Sequence, residues 1–456
     1  MTAAESPMAQ STATAMASKD QIATRRRRKS SVRGHGYGHD ANARQPSLQE
    51  QLDRLSKRSR ARAILRRCKQ IAVKHTWTTP LVMILACLSL YAVNPTESNI
   101  MHNFIFLPYK IPQQGLDAAA GANGDAPAQY GKGLWDIAFV CFYATVLSFT
   151  RDFIMQELLR PLAKYLGIRS RGKQLRFMEQ AYTAVYFGIL GPFGLYVMSR
   201  TPVWYFNTTG MYETFPHKTH EAVVKFYYLL EGAYWAQQAL VMLLGLEKPR
   251  KDYYELVAHH CVTLALIGLS YRFHFTYMGI AVYLTHDISD FCMALSKTFN
   301  YIDHPITGPW YCLSLASWIY LRHFINLKIL WSILTEFSTV GPYELNWETQ
   351  QYKCTLSQVI TFGLLGLLQS LNLFWLFFLL RIGYRYVFQG VEQDVRSEAE
   401  DSEAEPMETI EEVSKVDVAP LVSGEAAQAT QAFANGVAKA AGGGGIASRT
   451  RSRRAA

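Results

Sequence analysis

The 456-residue sequence predicts an all-α protein, a polytopic membrane helix bundle of about eight transmembrane helices with disordered polar tails. Three observations predict it. Only 18% of the residues are charged, against 49% hydrophobic and 13% aromatic, where an ordinary soluble domain carries roughly 25% charge. The charge is gathered at the two ends: residues 1–75 hold 17 Lys/Arg against 5 Asp/Glu, and residues 391–456 hold 7 against 12. Between them, from residue 77 to residue 388, apolar runs of bilayer-spanning length follow one another. A soluble globular domain is thereby excluded. A disulfide-stapled secreted one is excluded too, because Cys87, Cys141, Cys261, Cys292 and Cys312 lie inside apolar runs and no CxxC or Cys/His zinc spacing occurs. No metal site is expected.

The first element is the basic arm of residues 1–75, with Arg25–Lys29 and a cluster from Arg54 to Lys74. Beside a membrane span such a run reads as a cytoplasmic, lipid-facing flank rather than a nucleic-acid site. The arm also argues against a signal peptide, since the first apolar run starts behind it and no small-residue cleavage site follows. Eight runs have close to the ~20 residues that cross ~30 Å of hydrocarbon. They are 77–94, 134–150, 179–199, 223–246, 254–272, 275–297, 309–334 and 355–388.

Loop charge sets the orientation. The loop after the second run holds Arg151, Arg160, Lys164, Arg169, Arg171, Lys173 and Arg176, and the loop after the fourth holds Lys248, Arg250 and Lys251. The loops at 95–133, 200–222 and 335–354 carry few positive charges and fall on the lumenal side. Both termini are then cytoplasmic. Asn207-Thr208-Thr209 is a glycosylation sequon in a lumenal loop, and 112–133 reads as a flexible lumenal segment. The tail 391–456 is acidic and poor in aromatics, hence disordered. Ser397 and Ser402 each stand in Ser-Glu-Ala-Glu, which suits an acidophilic kinase. No internal repeat supports a transporter of two inverted halves.

Ionisable groups inside the membrane are costly unless paired or hydrated, and each is a functional candidate by default. They concentrate between His259 and Lys297, where two adjacent runs hold His259, His260, His274, His286, Asp287 and Asp290. At a rise of 1.5 Å per residue, the His259–His260 pair lies about 8–9 Å inside the cytoplasmic end of its run, and Asp287 with Asp290 come to about 8–12 Å from that side. The turn around 273–276 makes the two runs antiparallel neighbours. Asp287 and Asp290 share a helix face at i,i+3, as do His286 and Asp290 at i,i+4, so a common inward polar chamber is expected.

A histidine held in one tautomer by a carboxylate has its other nitrogen free as base or nucleophile, and a second carboxylate can hold an amine and relay its proton. This is an acyl-transfer constellation without a serine. The oxyanion donor it needs is left open among Arg322, His323 and a nearby Tyr hydroxyl. Arg322, His323 and His274 also have a plain structural role open to them. The competing account makes Asp287 and Asp290 structural partners of Lys297 or Arg272. Glu231, a lone charge in the fourth run, has no role beyond facing the chamber.

His259-His260 followed by Asp287-Ile288-Ser289-Asp290, Ser296-Lys297-Thr298 and Asn300-Tyr301 resembles the Lag motif of ceramide synthases, which are sphingosine N-acyltransferases of the TLC-domain class. The likeness extends in kind over 171–390, which would be a TLC-like catalytic membrane domain, with 76–170 holding the first two spans. The long basic arm and the lack of a homeobox-like insert are similar to the fungal branch. The resemblance implies a TLC-type core and an endoplasmic reticulum enzyme that joins a fatty acyl-CoA to the amine of a long-chain sphingoid base, either dihydrosphingosine or phytosphingosine. It places the family's catalytic histidines on His259 and His260 and its aspartates on Asp287 and Asp290, with an acyl-histidine route falling on His259. His286, Arg322, His323 and Lys297 would support them. It further implies membrane lipids as surroundings, a dimer with itself or a related subunit, a small single-span regulatory subunit, no cofactor beyond the co-substrate acyl-CoA, and no nucleic acid. An HxxHH elongase box fails because residue 256 is leucine, and a di-iron hydroxylase lacks its HxxxH boxes. A non-catalytic TLC-domain lipid-binding or transport protein, using the His/Asp cluster as a relay, is the alternative.

Overall fold

The computed structural model describes residues 74–112, 127–247 and 251–389. The basic arm, Lys248, Arg250, Ser397, Ser402 and the acidic tail lie outside the described residues. Helix α1 is Thr78–Val93, and a short α2 (His102–Ile105) follows it. Helix α3 (Trp135–Phe153) runs on through a π-helical stretch, Ile154–Leu159, into α4 (Arg160–Tyr165). The π stretch ends just before Pro161, which cannot donate an amide to the preceding turn. Helix α5 is Arg171–Ser199, α6 is Ala222–Leu243, α7 is Tyr253–Arg272 and α8 is Thr276–Tyr301. A second interrupted rod joins α9 (Thr307–Trp318), a π-helical stretch Ile319–Ile325 and α10 (Asn326–Thr335). Helix α11 (Thr355–Gln389) closes the described chain.

Each apolar run of the sequence thus coincides with a helix. Three helical stretches among the described residues are long and apolar enough to cross a membrane: Trp135–Tyr165, Arg171–Ser199 and Thr355–Phe388. Helices α6, α7 and α8 carry the buried ionisable groups that dilute their apolarity. Several boundaries move. Helix α5 starts at Arg171, eight residues before the apolar run, because Ser170 caps it by accepting from the Lys173 amide. Helix α8 continues to Tyr301 rather than stopping at 297. The segment expected to be a flexible loop holds a strand, β1 (Gln129–Tyr130), paired antiparallel with β2 (His220–Glu221) at the start of α6.

Six rods enclose the interior in the cyclic order α5, α6, α7, α11, α9–α10 and α8, each packing on the next. Helix α3 lies outside against α6, and α1 and α2 lie against α3. The α7–α8 connection is tight because His274 takes a left-handed conformation with φ of 68°, which asparagine, aspartate and histidine tolerate better than most residues. The interior is aromatic: Tyr186, Phe187, Tyr212, Tyr227, Tyr228, Tyr234 and Tyr283 all belong to one buried cluster. Gly194 of α5 is what admits Tyr227, since a Cβ there would fall 2.5 Å from the tyrosine hydroxyl. Buried Lys225 pairs with Asp136 at 2.7 Å and donates to the carbonyls of Pro108 and Gly131, tying the loop between α2 and α3 to α3 and α6.

Candidate functional site

Helix α7 carries His259 and His260 in its first half, and both are buried. The His259 ring is wedged edge-on between Trp235 of α6, at 5.6 Å between centroids, and Trp375 of α11, at 5.3 Å. Its Nε2 lies 3.5 Å from the hydroxyl of Thr263, one turn on. Its Nδ1 has no hydrogen-bond partner among the described residues. His260 is held differently. Its Nδ1 donates to the Leu256 carbonyl at 2.9 Å, which fixes the tautomer and leaves the lone pair on Nε2.

On α8, His286 is locked at both nitrogens. Nδ1 donates to the Val282 carbonyl at 2.8 Å, and Nε2 accepts from the Asn372 amide of α11 at 3.2 Å. Asp287 is fully buried and accepts from Tyr227 of α6 at 3.0 Å. Asp290 instead pairs with Arg322, Oδ1 to Nη2 at 2.6 Å. The expected face shared by Asp287 and Asp290 is therefore divided between two neighbours, one side chain turning to α6 and the other to the α9–α10 rod. The partner shown for Asp290 is Arg322, not Arg272. Arg272 is exposed and lies over the rings of Phe273 and Tyr352.

Arg322 stands on the π-helical stretch, an irregularity that often marks functional segments. It donates to the Ser289 hydroxyl at 2.6 Å, the Asn372 side chain at 3.3 Å and the His286 carbonyl at 3.2 Å, and it stacks over Trp318 at 3.9 Å. One guanidinium thus bridges the i,i+4 pair His286 and Asp290, through the backbone of the first and the side chain of the second. His323 faces α11, where Gln369 donates to its Nδ1 at 2.7 Å. Lys297 lines a separate cavity of about 70 Å³ near the end of α8, with Ser296, Asn300, Tyr311 and Tyr386.

His259 and His286 open into a cavity of about 190 Å³ walled by α6, α7, α8 and α11. From Trp235 and the two histidines it runs along Thr263, Leu266, Val282 and Leu364 to Phe273, Phe275, Leu345, Trp347 and Tyr352 at the other end of the helices. The α7 distance from His259 to Phe273 is about 20 Å at helical rise. The wall is mostly hydrocarbon and aromatic, with His259, His286 and Thr263 at one end and Ser270, Tyr352 and Ser357 towards the other. His260, Arg322, His323 and Lys297 do not line this cavity. At the end remote from the histidines the 335–354 loop lines the cavity through Leu345, Trp347, Tyr352 and Cys354, and behind Tyr352 His274 stacks on its ring at 5.8 Å and lies 3.4 Å from the Lys132 ammonium. Burial there, reinforced by the Lys132 charge, lowers His274 to about 4. Among the described residues no group of three His, Cys, Asp or Glu side chains could hold a metal ion.

Several residues at the site went unnoticed in the sequence. Tyr227 and Trp235 flank Glu231, the lone charge of the fourth run, at i,i+4 on α6, a spacing that places the three on one helix face. Gln369 and Asn372 are polar residues in the middle of α11, the most apolar of the three long stretches that could cross a membrane, which is itself a signal.

A TLC-domain family model matches residues 176–381. The chain is 52% identical over 336 residues to the sphingosine N-acyltransferase-like protein FUM17 of Gibberella moniliformis, covering 74% of this chain and 85% of that one. It is 46% identical over 351 residues to the sphingosine N-acyltransferase lac1 of Schizosaccharomyces pombe, covering 76% and 88%. Against the ceramide synthase LAG1 of Saccharomyces cerevisiae the identity is 45% over 338 residues, covering 74% and 79%.

Proposed function

The chain belongs to the TLC-domain family of sphingosine N-acyltransferases, and from that premise we propose that it transfers a fatty acyl group from acyl-CoA to the amine of dihydrosphingosine or phytosphingosine, releasing CoA and a ceramide. That it is an acyltransferase accords with its relatives. One observation carries the finer reading: the buried His259 imidazole, its Nδ1 uncommitted, opens with His286 into an apolar cavity long enough for a fatty chain.

The acyl chain lies in the cavity with its thioester carbonyl at His259, while the CoA head group stays in water on the cytoplasmic side. His259 is the nucleophile because its Nδ1 is not committed to a backbone carbonyl, as the Nδ1 atoms of His260 and His286 are. The imidazole nitrogen attacks the carbonyl, the C–S bond breaks, and the imidazole proton passes to the CoA thiolate. The sphingoid amine then displaces the imidazole and the amide forms. Asp287, with one carboxylate oxygen unpartnered, receives the proton that the ammonium form of the base must lose. Asp290 and Arg322 hold the turn of α8 that carries it.

The topology that goes with this chemistry has all eight helical rods crossing the endoplasmic reticulum membrane, with both termini cytoplasmic. Pairing with a second subunit, and regulation by a small single-span one, belong to the same proposal. The test is direct. Purified protein given acyl-CoA and dihydrosphingosine should release CoA and form dihydroceramide, and His259→Ala should fold but lose nearly all turnover. Full activity in His259→Ala, or no product from the wild type, would overturn it.

A further inference from the structure

The acyl-transfer scheme leaves one buried acid unused. Glu231 of α6 is completely buried. Tyr186 of α5 donates to its Oε1 at 3.3 Å, and Oε2 has no hydrogen-bond partner among the described residues. Asp287 repeats the arrangement: completely buried, one oxygen bonded to Tyr227 and the other without a partner. Tyr227 and Glu231 lie i,i+4 on α6, so the hydroxyl that reaches Asp287 and the carboxyl of Glu231 occupy one helix face. Through Tyr227, the α6 face that carries Glu231 therefore meets Asp287. Around them stand Tyr186 from α5, Tyr227 and Tyr234 from α6, Tyr283 and Asp290 from α8, and Arg322 from the π-helical stretch. Arg322 is the cation of this group, and its hydrogen bonds go to Asp290, Ser289, Asn372 and the His286 carbonyl.

Two fully buried carboxyls without a dedicated cation do not both ionise, since each isolated buried charge costs several kcal/mol and like charges add to that. Aspartic proteases resolve the same conflict by sharing one proton between two acids. We propose that Glu231 is a positioning residue of the acyl transfer: it and Asp287 hold one proton between them, so the pair carries a single negative charge and keeps an oxygen of Asp287 free to act as base. This deepens the acyl-transfer proposal and rests on it. The sphingoid base arrives as an ammonium. Asp287 takes one N–H proton, leaving the electron pair on nitrogen. That pair forms the C–N bond to the acyl carbonyl, the bond from the carbonyl to His259 breaks with its electrons going to the imidazole, and the second ammonium proton completes the neutral imidazole. The proton on Asp287 leaves to water, restoring the pair.

Glu231→Gln in the full-length protein is the test, read two ways. Infrared spectra of the wild type near neutral pH should show a buried protonated-carboxyl stretch, and Glu231→Gln should lose it. The acid limb of kcat/KM for the sphingoid base should move to higher pH by about one unit or more, because Asp287 loses the neutral acid that stabilises its charged form, with KM for acyl-CoA unchanged, and Glu231→Asp should restore both signals. A band that persists in Glu231→Gln, or an acid limb that stays in place, overturns the proposal. If Glu231→Gln does not fold, Tyr186→Phe removes only the hydroxyl held against Glu231 and should shift the carboxyl band upward; an unshifted band is then the overturning result. The infrared signal does not depend on turnover, so a wild type without acyltransferase activity would refute the enzyme reading while leaving the shared proton to be decided by the spectra.

Discussion

Arg322 Nη2 lies 2.6 Å from Asp290 Oδ1, and the guanidinium is almost wholly buried while the carboxylate keeps a partial opening to solvent. Breaking a pair of this kind costs more than its formation gains, because the surviving charge is stranded. Arg322→Ala should therefore destabilise the bundle by about 3 kcal/mol, seen as a lower apparent Tm in detergent. Arg322→Lys should recover only part of it, since an ammonium cannot span Ser289, Asn372 and Asp290 together. A wild-type Tm in Arg322→Ala would remove the structural role given to this pair.

His259 and His260 are adjacent in sequence and opposite in assignment. Because His259 lines the cavity and His260 does not, radiolabelled acyl chain supplied as acyl-CoA without sphingoid base should become covalently bound to wild type and to His260→Ala, and not to His259→Ala. The adduct should be released by hydroxylamine. Label retained in His259→Ala would reassign the nucleophile.

Leu266 lies on the cavity wall two turns beyond His259. Leu266→Trp adds a large side chain part-way along the space proposed for the acyl chain. The variant should keep turnover with short acyl-CoA and lose tenfold or so with the longest ones, about 1.4 kcal/mol, in a competition assay across chain lengths. Uniform loss at every length would argue that the chain does not run along this wall.

Asn207 is exposed, in the loop between α5 and α6, and donates to the Pro202 carbonyl at 3.2 Å. On the proposed topology this loop is lumenal, so protein from the native membrane should show a mobility shift with endoglycosidase that Asn207→Gln abolishes. A shift that survives in Asn207→Gln would place the glycan elsewhere.

Helix positions were legible in the sequence because apolar length determines them, and the apolar runs do coincide with helices. The cluster of His259, His260, Asp287 and Asp290 was legible because charge is rare in this segment. What could not be read was how one helix is rotated against the next. Asp287 and Asp290 share a helix face by spacing, yet α6 and the π-helical stretch stand on either side of it and take one carboxylate each. The partners Lys297 and Arg272 were plausible by proximity in sequence, whereas Arg322 arrives from 32 residues further along, turned inward by an irregular helix that no periodicity announces. Glu231 was visible as a lone charge, but its meaning depends on Asp287 being brought to it by packing through Gly194.

The face of the bundle opposite the histidine end of the cavity predicts a pH dependence of stability. His217 and His274 are lowered to about 4, in both cases mainly by burial, and His220 is pushed well below the ordinary range by the same cause. Between an unfolded value near 6.5 and the folded value of about 4, the unfolded chain binds protons that the folded protein does not. Stability should therefore fall as pH drops through this window. Lys132 behaves in the same sense at higher pH: burial lowers it to about 7, so from about 10.4 down to 7 the unfolded chain is again the more protonated. Apparent Tm should rise with pH across both windows. His274→Phe, which keeps an aromatic ring against Tyr352, should flatten the lower rise, and Lys132→Met should flatten the upper one. If either variant kept the wild-type slope in its window, that residue would not be the group that titrates there.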